Sequence, residues 1–414
     1  MVEKRRKMDM IQWFFVIFLG TFSFGELIRL SLGNNFFIKP VDIASIVLVL
    51  IWISKVFKSW KKIILNDKLF IPIILFIAIA FISLVINFKN FSFYEMLVAF
   101  SYFLRWILYV TLFFVVKSFS SKFKEKIMYL LLALGTIFVA LGFVQYFFYS
   151  NLRNLYYLGW DEHMYRLFST FLDPNFAGAF FVLYSIFLLG ILLYFREKNS
   201  KNIWLIMPIF ALSIVSIFLT YSRSGLIMFL TSIAIFSILS KKIYLFLAVL
   251  LVLAVFVLIS SRSFNIENIN LFRIASAEAR IESAKTAIQI IKKNMFFGVG
   301  FNTYRYAQIK YGFRSASSSS TSHADAGTDN SFLFVFATMG IVGLIIYLNL
   351  IWNILKKAYA NFKKQKANSF QKYISIVVLS SVGGIIVDSF FINSLFYSFI
   401  VIWIWILLGL IENN

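Results

Sequence analysis

The sequence predicts an all-α polytopic membrane protein with about 12 transmembrane helices and one large external loop before the tenth span. Of its 414 residues, 61% are hydrophobic and only 14% are charged, and the mean hydropathy is +0.84. A soluble domain is roughly half apolar and about a quarter charged. Because every backbone group inside lipid must be hydrogen-bonded within the chain, the apolar runs are predicted to be helices.

Twelve apolar runs approach or exceed the length needed to cross about 30 Å of hydrocarbon. The eighth run is short, which leaves the count open by one. In chain order the runs are 11–32, 40–57, 69–87, 97–116, 127–149, 175–195, 203–220, 225–240, 243–261, 329–352, 373–388 and 395–411.

The basic residues between these runs predict the orientation, because cytoplasmic loops carry an excess of Lys and Arg. Of the 40 basic residues, 24 lie on the cytoplasmic side if the N-terminus is there. Nine lie in the loop 262–328, and seven lie elsewhere outside or within spans. Both termini are therefore predicted to be cytoplasmic. Orientation also accounts for the net charge of +22 without a nucleic-acid partner.

The predicted organisation has three parts: nine spans with short loops in 1–261, the external loop 262–328, and three spans in 329–414. The loop holds nine basic and four acidic residues. This excess suits a phosphate-bearing ligand, and attraction to anionic lipid headgroups is the simpler alternative. Helical spacing predicts an amphipathic helix over 276–293, whose apolar stripe comprises Ala277, Ile281, Ala284, Ala287, Ile288 and Ile291.

Two arginines are candidates for binding an anion. Arg280 falls on the apolar side of the predicted helix, where it either reaches the edge of the stripe or meets a carboxylate or phosphate. Arg223 lies in Thr-Tyr-Ser-Arg-Ser-Gly at 220–225, between two spans. It either snorkels to the membrane surface or clamps a diphosphate, helped by hydroxyls and by free N–H groups at the helix start.

A polar run precedes the sixth span. Asp173-Pro174 has the form of a helix start, with Asp as the N-cap and Pro in the first turn. Helix capping explains Asp173 but not Arg166 and Asn175, which lie at the two ends of the run. These two residues are therefore candidates for binding substrate.

The external loop ends at Asp329-Asn330, and Gly340 and Gly343 follow at fixed spacing. Thr328 or Asp329 is predicted to cap the tenth span, and for Asp329 a chemical role is equally open. Glycines with this spacing are typical of membrane helices that approach one another closely.

Two charges fall within or at the end of spans, where they are expensive and suggest function. These are Arg105 and Asp388, which are predicted to pair with each other or with groups of the site. The sequence has no GxxxxGK[ST] loop, no Asp-x-Asp pair and no cysteine. Its two histidines, His163 and His323, are too far apart to suggest a zinc site. The chemistry left open is a metal-free and cofactor-free reaction on a lipid-borne phosphate.

Four motifs in order resemble those of the O-antigen ligase and polymerase superfamily, over roughly 160–345. They are Arg-x-x-x-Thr-Phe-x-x-Pro-Asn (166–175), the run 220–225, Arg280 ahead of Phe-Gly-Val-Gly (297–300), and Asp329-Asn330-x9-Gly340-x-x-Gly343. The resemblance implies a GT-C-type glycosyltransferase fold in the bacterial inner membrane. It also implies a donor glycan on undecaprenyl diphosphate at the external face. For a polymerase, it implies a chain-length regulator as a partner.

In the family, ligases transfer the glycan to lipid A core and polymerases transfer it to another repeat unit. The family's external arginines engage the diphosphate, and the matching positions here are Arg223 and Arg280. Ligases carry a histidine where this sequence has Asp329. That difference favours a polymerase or a related glycan transferase.

The expected catalytic residues are therefore Asp329, Arg280 and Arg223, with His323 as an alternative base. The expected substrate-binding residues are Arg166, Asn175, Asn330, His323 and Arg305. One alternative is ligase-type transfer to a lipid, protein or wall acceptor. Alternatives of other classes are a polysaccharide exporter or flippase and a sensor without catalysis.

Overall fold

A computed structural model describes residues 8–33, 36–57, 61–260, 274–315, 326–366 and 368–412. Its α-helices are α1 (Met10–Phe22), α2 (Pro40–Val56), α3 (Phe70–Ile86), α4 (Phe93–Lys117), α5 (Ser121–Phe148), α6 (Pro174–Glu197), α7 (Ile203–Leu219), α8 (Arg223–Ser240), α9 (Tyr244–Ser260), α10 (Ala275–Lys293), α11 (Tyr304–Lys310), α12 (Ser331–Lys364), α13 (Phe370–Asp388) and α14 (Ser398–Leu410). Two short antiparallel strands, β1 (Leu30–Ser31) and β2 (Phe37–Ile38), lie between α1 and α2.

Each of the twelve apolar runs contains a helix, and α10 and α11 lie in the polar loop. Among the described residues, six helices are long and apolar enough to cross a membrane: α4, α5, α6, α8, α12 and α13. Shorter apolar helices include α1, α3, α7, α9 and α14. An all-helical, multi-pass membrane protein is thereby confirmed. Twelve crossings and the GT-C fold stay predictions.

The first apolar run is helical only as far as Phe22, not to residue 32 as predicted. The chain turns at Gly25, whose φ is +57 and whose Cβ, if it had one, would stand 2.3 Å from the Thr170 carbonyl oxygen. The next amide, that of Glu26, donates to the same carbonyl at 2.7 Å. A contact with a segment distant in sequence therefore ends α1.

Helix α6 is the centre of the bundle. It packs against α7, α8 and α13, and 94% of its most apolar 18-residue stretch is buried. A helix that is apolar on all sides is expected in such a position. Helices α8 and α13 also pack together, so the beginning of α6, the beginning of α8 and the end of α13 meet on one side of the bundle. We call this side, at which α12 also begins, the loop side.

Helix α12 is interrupted at Gly340, whose φ is +69 and ψ −171. The interruption frees backbone groups that a regular helix would pair internally. The segment that follows α10 takes them up through three hydrogen bonds: Val299 N to Ala337 O (2.9 Å), Gly300 N to Thr338 O (2.9 Å) and Ile341 N to Met295 O (2.8 Å). The polar loop is thus fastened by backbone pairing to a membrane helix.

Only glycine fits at the two closest points of this junction. A Cβ at Gly340 would stand 2.1 Å from the Phe296 carbonyl oxygen, and a Cβ at Gly298 would stand 2.3 Å from the Thr338 backbone. The prediction that Gly340 and Gly343 bring two helices together is therefore wrong. Gly340 meets loop backbone, and Gly343 meets Met339 of its own helix. Sequence spacing shows that small residues recur, but it does not show which partner approaches them.

Replacing Gly340 with alanine should lower the melting temperature of the detergent-solubilised protein. A non-glycine residue at this φ costs on the order of 1–3 kcal/mol, and the clash with Phe296 adds to that cost. Gly20→Ala is the matched control, because nothing lies within 4 Å of a Cβ there and alanine favours the helix. Equal melting temperatures for the two variants would contradict the role given to the junction.

Candidate functional site

The first two motifs are joined by side-chain hydrogen bonds on the loop side. Arg166 is buried, and its Nε donates to the Thr220 carbonyl at 2.8 Å. Its Nη2 donates to Asn175 Oδ1 at 3.2 Å, and the Ser222 hydroxyl donates to the same oxygen at 3.2 Å. Arg166 and Asn175 therefore hold the beginning of α6 against the beginning of α8. Substrate binding by either residue stays a prediction.

Asp173 caps α6, as predicted. One carboxylate oxygen accepts from the Asn175 amide at 2.6 Å and from the Phe176 amide at 3.4 Å. The other lies 4.0 Å from Nε2 of His163. The cap fixes the position of this carboxylate relative to the residues that follow it.

One face of α10 is turned toward the beginnings of α8 and α12. Ser276, Arg280 and Ser283 lie on this face, because residues four and seven apart are neighbours along a helix. The guanidinium of Arg223 donates to the Ser276 hydroxyl and lies close enough to Arg280 for the two charges to repel. Both arginines are half-buried. Helix α10 thus brings together the two residues predicted to bind a diphosphate.

Asp329 lies on the opposite flank of the same helix face. Its amide donates to the Ser283 hydroxyl at 3.2 Å, and its carboxylate interacts electrostatically with Arg280, Asp173 and Asp161. We call the group formed by Arg223, Arg280, Asp329, Asp173 and Asp161 the Asp329 recess.

Asn330, rather than Thr328 or Asp329, caps α12. Its side-chain oxygen accepts from the amides of Phe332 and Leu333 at 2.9 and 3.0 Å, and its side-chain nitrogen donates to the Phe390 carbonyl at 3.3 Å. The predicted cap was therefore placed one or two residues too early. Asp329 is left free of capping, so its carboxylate is available for chemistry.

The surroundings of Asp329 raise the pKa of its carboxyl above the ordinary value. Loss of hydration is the main cause, Arg280 opposes it, and the like charges of Asp173 and Asp161 add to it. The residue is nevertheless exposed, so the carboxyl lies at the open edge of the recess and not beneath it. A carboxylate with a raised pKa is a stronger base than an ordinary aspartate and still reaches solvent and ligands.

Asp388 lies behind the recess and is fully buried. The hydroxyls of Ser224 and Ser394 flank its carboxyl, and Arg280 is near enough to attract it. The predicted pairing of Asp388 with Arg105 is wrong. Arg105 forms an ion pair with Asp42 at 2.9 Å, because α2 and not α13 packs beside that part of α4.

The buried face of α10 differs in part from the predicted stripe. Ala287, Ile290 and Ile291 are buried against α12 and α11, whereas Ile281 and Ile288 are 56% and 43% exposed. An apolar edge that the protein leaves uncovered is typical of a helix lying at a membrane surface.

The other predicted site residues lie apart or outside the described residues. Arg305, on α11, is buried in a separate group with Arg29 and two tyrosines. His323 lies outside the described residues. Within the described part of the chain, no three His, Cys, Asp or Glu side chains gather as a metal site would require.

Sequence reasoning missed three residues of the site: Asp161, Ser276 and Ser283. The run Asp161-Glu162-His163, a cluster of titratable groups in an external segment, was a usable signal for the first. The two serines had a signal only in their spacing of four and three residues from Arg280. Serines on a polar loop helix are too common for that spacing to be diagnostic.

Replacing Arg166 with leucine should destabilise the protein, because Thr220 and Asn175 would each lose a charged hydrogen-bond donor inside the bundle. Such bonds contribute about 1.5–3 kcal/mol each. Arg153→Leu is the control, since that arginine is exposed and pairs with Glu162 at the surface at 3.3 Å. Thermal unfolding in detergent should show a clear decrease for the first variant only, and similar unfolding of the two would refute the assignment.

The chain was compared with known protein families and with curated proteins. The model of the family described as O-antigen ligase matches residues 208–348, a segment that contains Arg223, Arg280, Asp329 and both glycines of the last motif. A search of curated proteins found no match to the chain. The family match, which covers about a third of the chain, supports membership of the O-antigen ligase and polymerase family.

Proposed function

We propose that this protein is a repeat-unit polymerase that transfers a glycan from undecaprenyl diphosphate to a sugar hydroxyl at the external face of the bacterial inner membrane. The observation that carries this proposal is the composition of the Asp329 recess. The exposed residue Asp329, whose carboxyl has a raised pKa, lies near Arg280, and Arg280 in turn lies near Arg223. A base next to an anion-binding pair is what glycosyl transfer from a diphosphate needs.

The two arginines would bind the diphosphate. Arg223 is the first residue of α8, so the helix dipole adds positive potential near its guanidinium. Arg280 approaches from α10, on the other side of the same space. The mutual repulsion of the two cations makes an anion between them favourable.

An apolar cleft lies between α4, α12, α13 and α14 and has a cavity volume of about 60 Å³. At one end it is lined by Leu395, whose amide donates to the Ser331 hydroxyl at the beginning of α12, directly after Asn330. At the other end it is lined by Ile354 and Trp405. We propose that the lipid tail of the donor follows this apolar cleft, which would have to widen to admit it.

In the proposed reaction the acceptor oxygen forms a bond to the anomeric carbon as the bond from that carbon to the diphosphate oxygen breaks. The acceptor proton goes to Asp329. The bond electrons leave with undecaprenyl diphosphate, whose growing charge Arg223 and Arg280 stabilise. A single displacement inverts the anomeric carbon, so retention in the product linkage would contradict this step. Bacterial inner-membrane location, cytoplasmic termini and a chain-length regulator belong to the same proposal.

A ligase is the second candidate, because the matching family model is itself described as O-antigen ligase. A ligase would transfer the same donor glycan once, to a lipid, protein or wall acceptor. The same arginines would serve, and the difference would lie in the acceptor.

The test uses purified protein in nanodiscs with a polyprenyl-diphosphate-linked repeat unit as sole substrate and chelator present. We expect a ladder of products that is lost, by at least about 100-fold in rate, in Arg280→Ala and in Asp329→Asn. Lys285→Ala is the matched control, because this exposed lysine lies on the same helix outside the site face and should leave the rate unchanged.

Product size and acceptor dependence decide between the candidates. A single addition that appears only when a different acceptor is supplied would favour the ligase. A ladder that persists in both recess variants would overturn the assignment of the site. The absence of product with every donor and acceptor would overturn glycan transfer itself.

The pH dependence tests Asp329 as the base. The like charge of Asp161 raises the pKa of Asp329, so Asp161→Asn should lower that pKa. Because transfer requires the ionised carboxylate, the acid limb of kcat/KM should move to lower pH. Glu162→Gln changes the neighbouring charge, which pairs with Arg153, and should leave the limb in place. A limb that responds equally to both substitutions would argue against Asp329.

A further inference from the structure

A second group of cations and aromatic rings lies on the loop side, apart from Arg223 and Arg280. It is assembled from five separate parts of the chain: the turn after α1, the β1–β2 hairpin, α4, the segment before α6, and the polar loop with α11. We call it the Arg305 cluster. Its members are Arg29, Phe37, Tyr102, Trp160, Arg305, Tyr306 and Arg314.

Arg29 lies between two aromatic rings. Its guanidinium carbon is 4.2 Å from the centre of the Phe37 ring and 5.0 Å from that of Trp160. Its Nε is 3.4 Å from the carboxylate of Glu26. Both rings are half-buried, so part of each face remains accessible.

Arg305 lies at the base of the cluster with 7% of its surface exposed. It interacts electrostatically with Arg29 and Arg314, which repel it, and with Tyr102 and Tyr306. Helix α11 holds it there, because Lys310 at the end of that helix donates to Asn90 Oδ1 at 2.9 Å. A buried arginine with two others nearby is a strongly positive point in a region of low dielectric constant.

Two carboxylates near the cluster face cations outside it. Asp42 pairs with Arg105 at 2.9 Å, and Glu26 pairs with Lys39 at 2.6 Å while also facing Arg29. Glu95 lies near Tyr306, so the cluster and these neighbours hold five basic and three acidic residues among those that the structure describes. A positive excess favours the binding of anions at the cluster.

Tyr397 joins the Arg305 cluster to the Asp329 recess. Its ring stacks on that of Phe176 at the beginning of α6, with centroids 4.0 Å apart and planes 7° apart. Its hydroxyl interacts electrostatically with Glu26 and Arg29 on one side and with Asp173 on the other. Since Asp173 belongs to the recess, the two groups adjoin.

We propose that the Arg305 cluster is the acceptor subsite and that it takes a glycan bearing carboxylates, with uronic-acid-like residues held by Arg305 and Arg29 and sugar faces resting on the aromatic rings. The proposal rests on the transferase function above. A transferase needs two adjoining sites, and the recess supplies arginines for the donor's diphosphate only. The planar guanidinium fork matches a carboxylate in two hydrogen bonds, which gives specificity for that group.

The test measures binding without turnover. Purified protein in nanodiscs is titrated calorimetrically with tetragalacturonic acid and with the same tetrasaccharide after its carboxyl groups are reduced to alcohols. We expect the acidic form to bind and the reduced form to bind at least tenfold more weakly. Arg305→Gln should weaken the acidic form by roughly 10- to 100-fold. Equal binding of the two sugars, or unchanged binding by Arg305→Gln, would overturn the proposal.

Three further variants keep the outcome interpretable. If Arg305→Gln unfolds, Arg29→Gln and Arg305→Lys replace it, the latter retaining the charge but losing the fork. Asp329→Asn should abolish transfer and leave tetragalacturonate binding intact, so a failed transferase assay and a failed acceptor subsite give different results. With turnover, Arg305→Lys should raise the KM for acceptor and leave that for donor unchanged. A raised donor KM would contradict the assignment.

Discussion

The backbone pairing at the break in α12 is the constraint on which the rest of the loop side depends. In a membrane helix an unpaired carbonyl is costly, so a break at Gly340 can persist only if other groups satisfy the freed carbonyls. The segment after α10 does so, and Ser83 and Asn87 of α3 add side-chain contacts to the same junction. Because this segment lies between α10 and α11, one junction sets the position of both helices. Arg280 on one and Arg305 on the other are therefore held relative to the membrane helices by a single structural element.

The distribution of charge follows from the same low dielectric constant. Arg105, within a span, is paired closely with Asp42, since the cost of removing a charge from water is recovered only in a good pair. At the loop side this rule is relaxed. Arg223 and Arg280 repel each other, and Asp329 faces other carboxylates. Like charges held together oppose folding, and they are expected where a ligand of opposite charge or a proton completes the arrangement.

The sequence allowed the helices and the location of the recess to be predicted, because hydropathy and motif order are local signals. It did not allow the partners of individual groups to be predicted. Helix α1 ends early because Gly25 approaches Thr170, and Asn330 rather than Asp329 caps α12. In each case the deciding contact joins distant residues or depends on one backbone angle, and periodicity carries neither. Of the Arg305 cluster the sequence singled out Arg305 alone, since five separate parts of the chain supply the group.

In the proposed reaction, donor binding would change the charges that set the pKa of Asp329. Arg280 lowers the pKa of Asp329, whereas burial, Asp173 and Asp161 raise it. A diphosphate bound to Arg280 would neutralise the positive charge that lowers the pKa of Asp329, and it would add negative charge nearby. The pKa of Asp329 would therefore rise further when the donor binds. The Asp329 carboxylate would thus be a stronger base with a donor bound than without one. With Asp329 as the base of the proposed reaction, deprotonation of the acceptor hydroxyl would be coupled to donor binding through electrostatics.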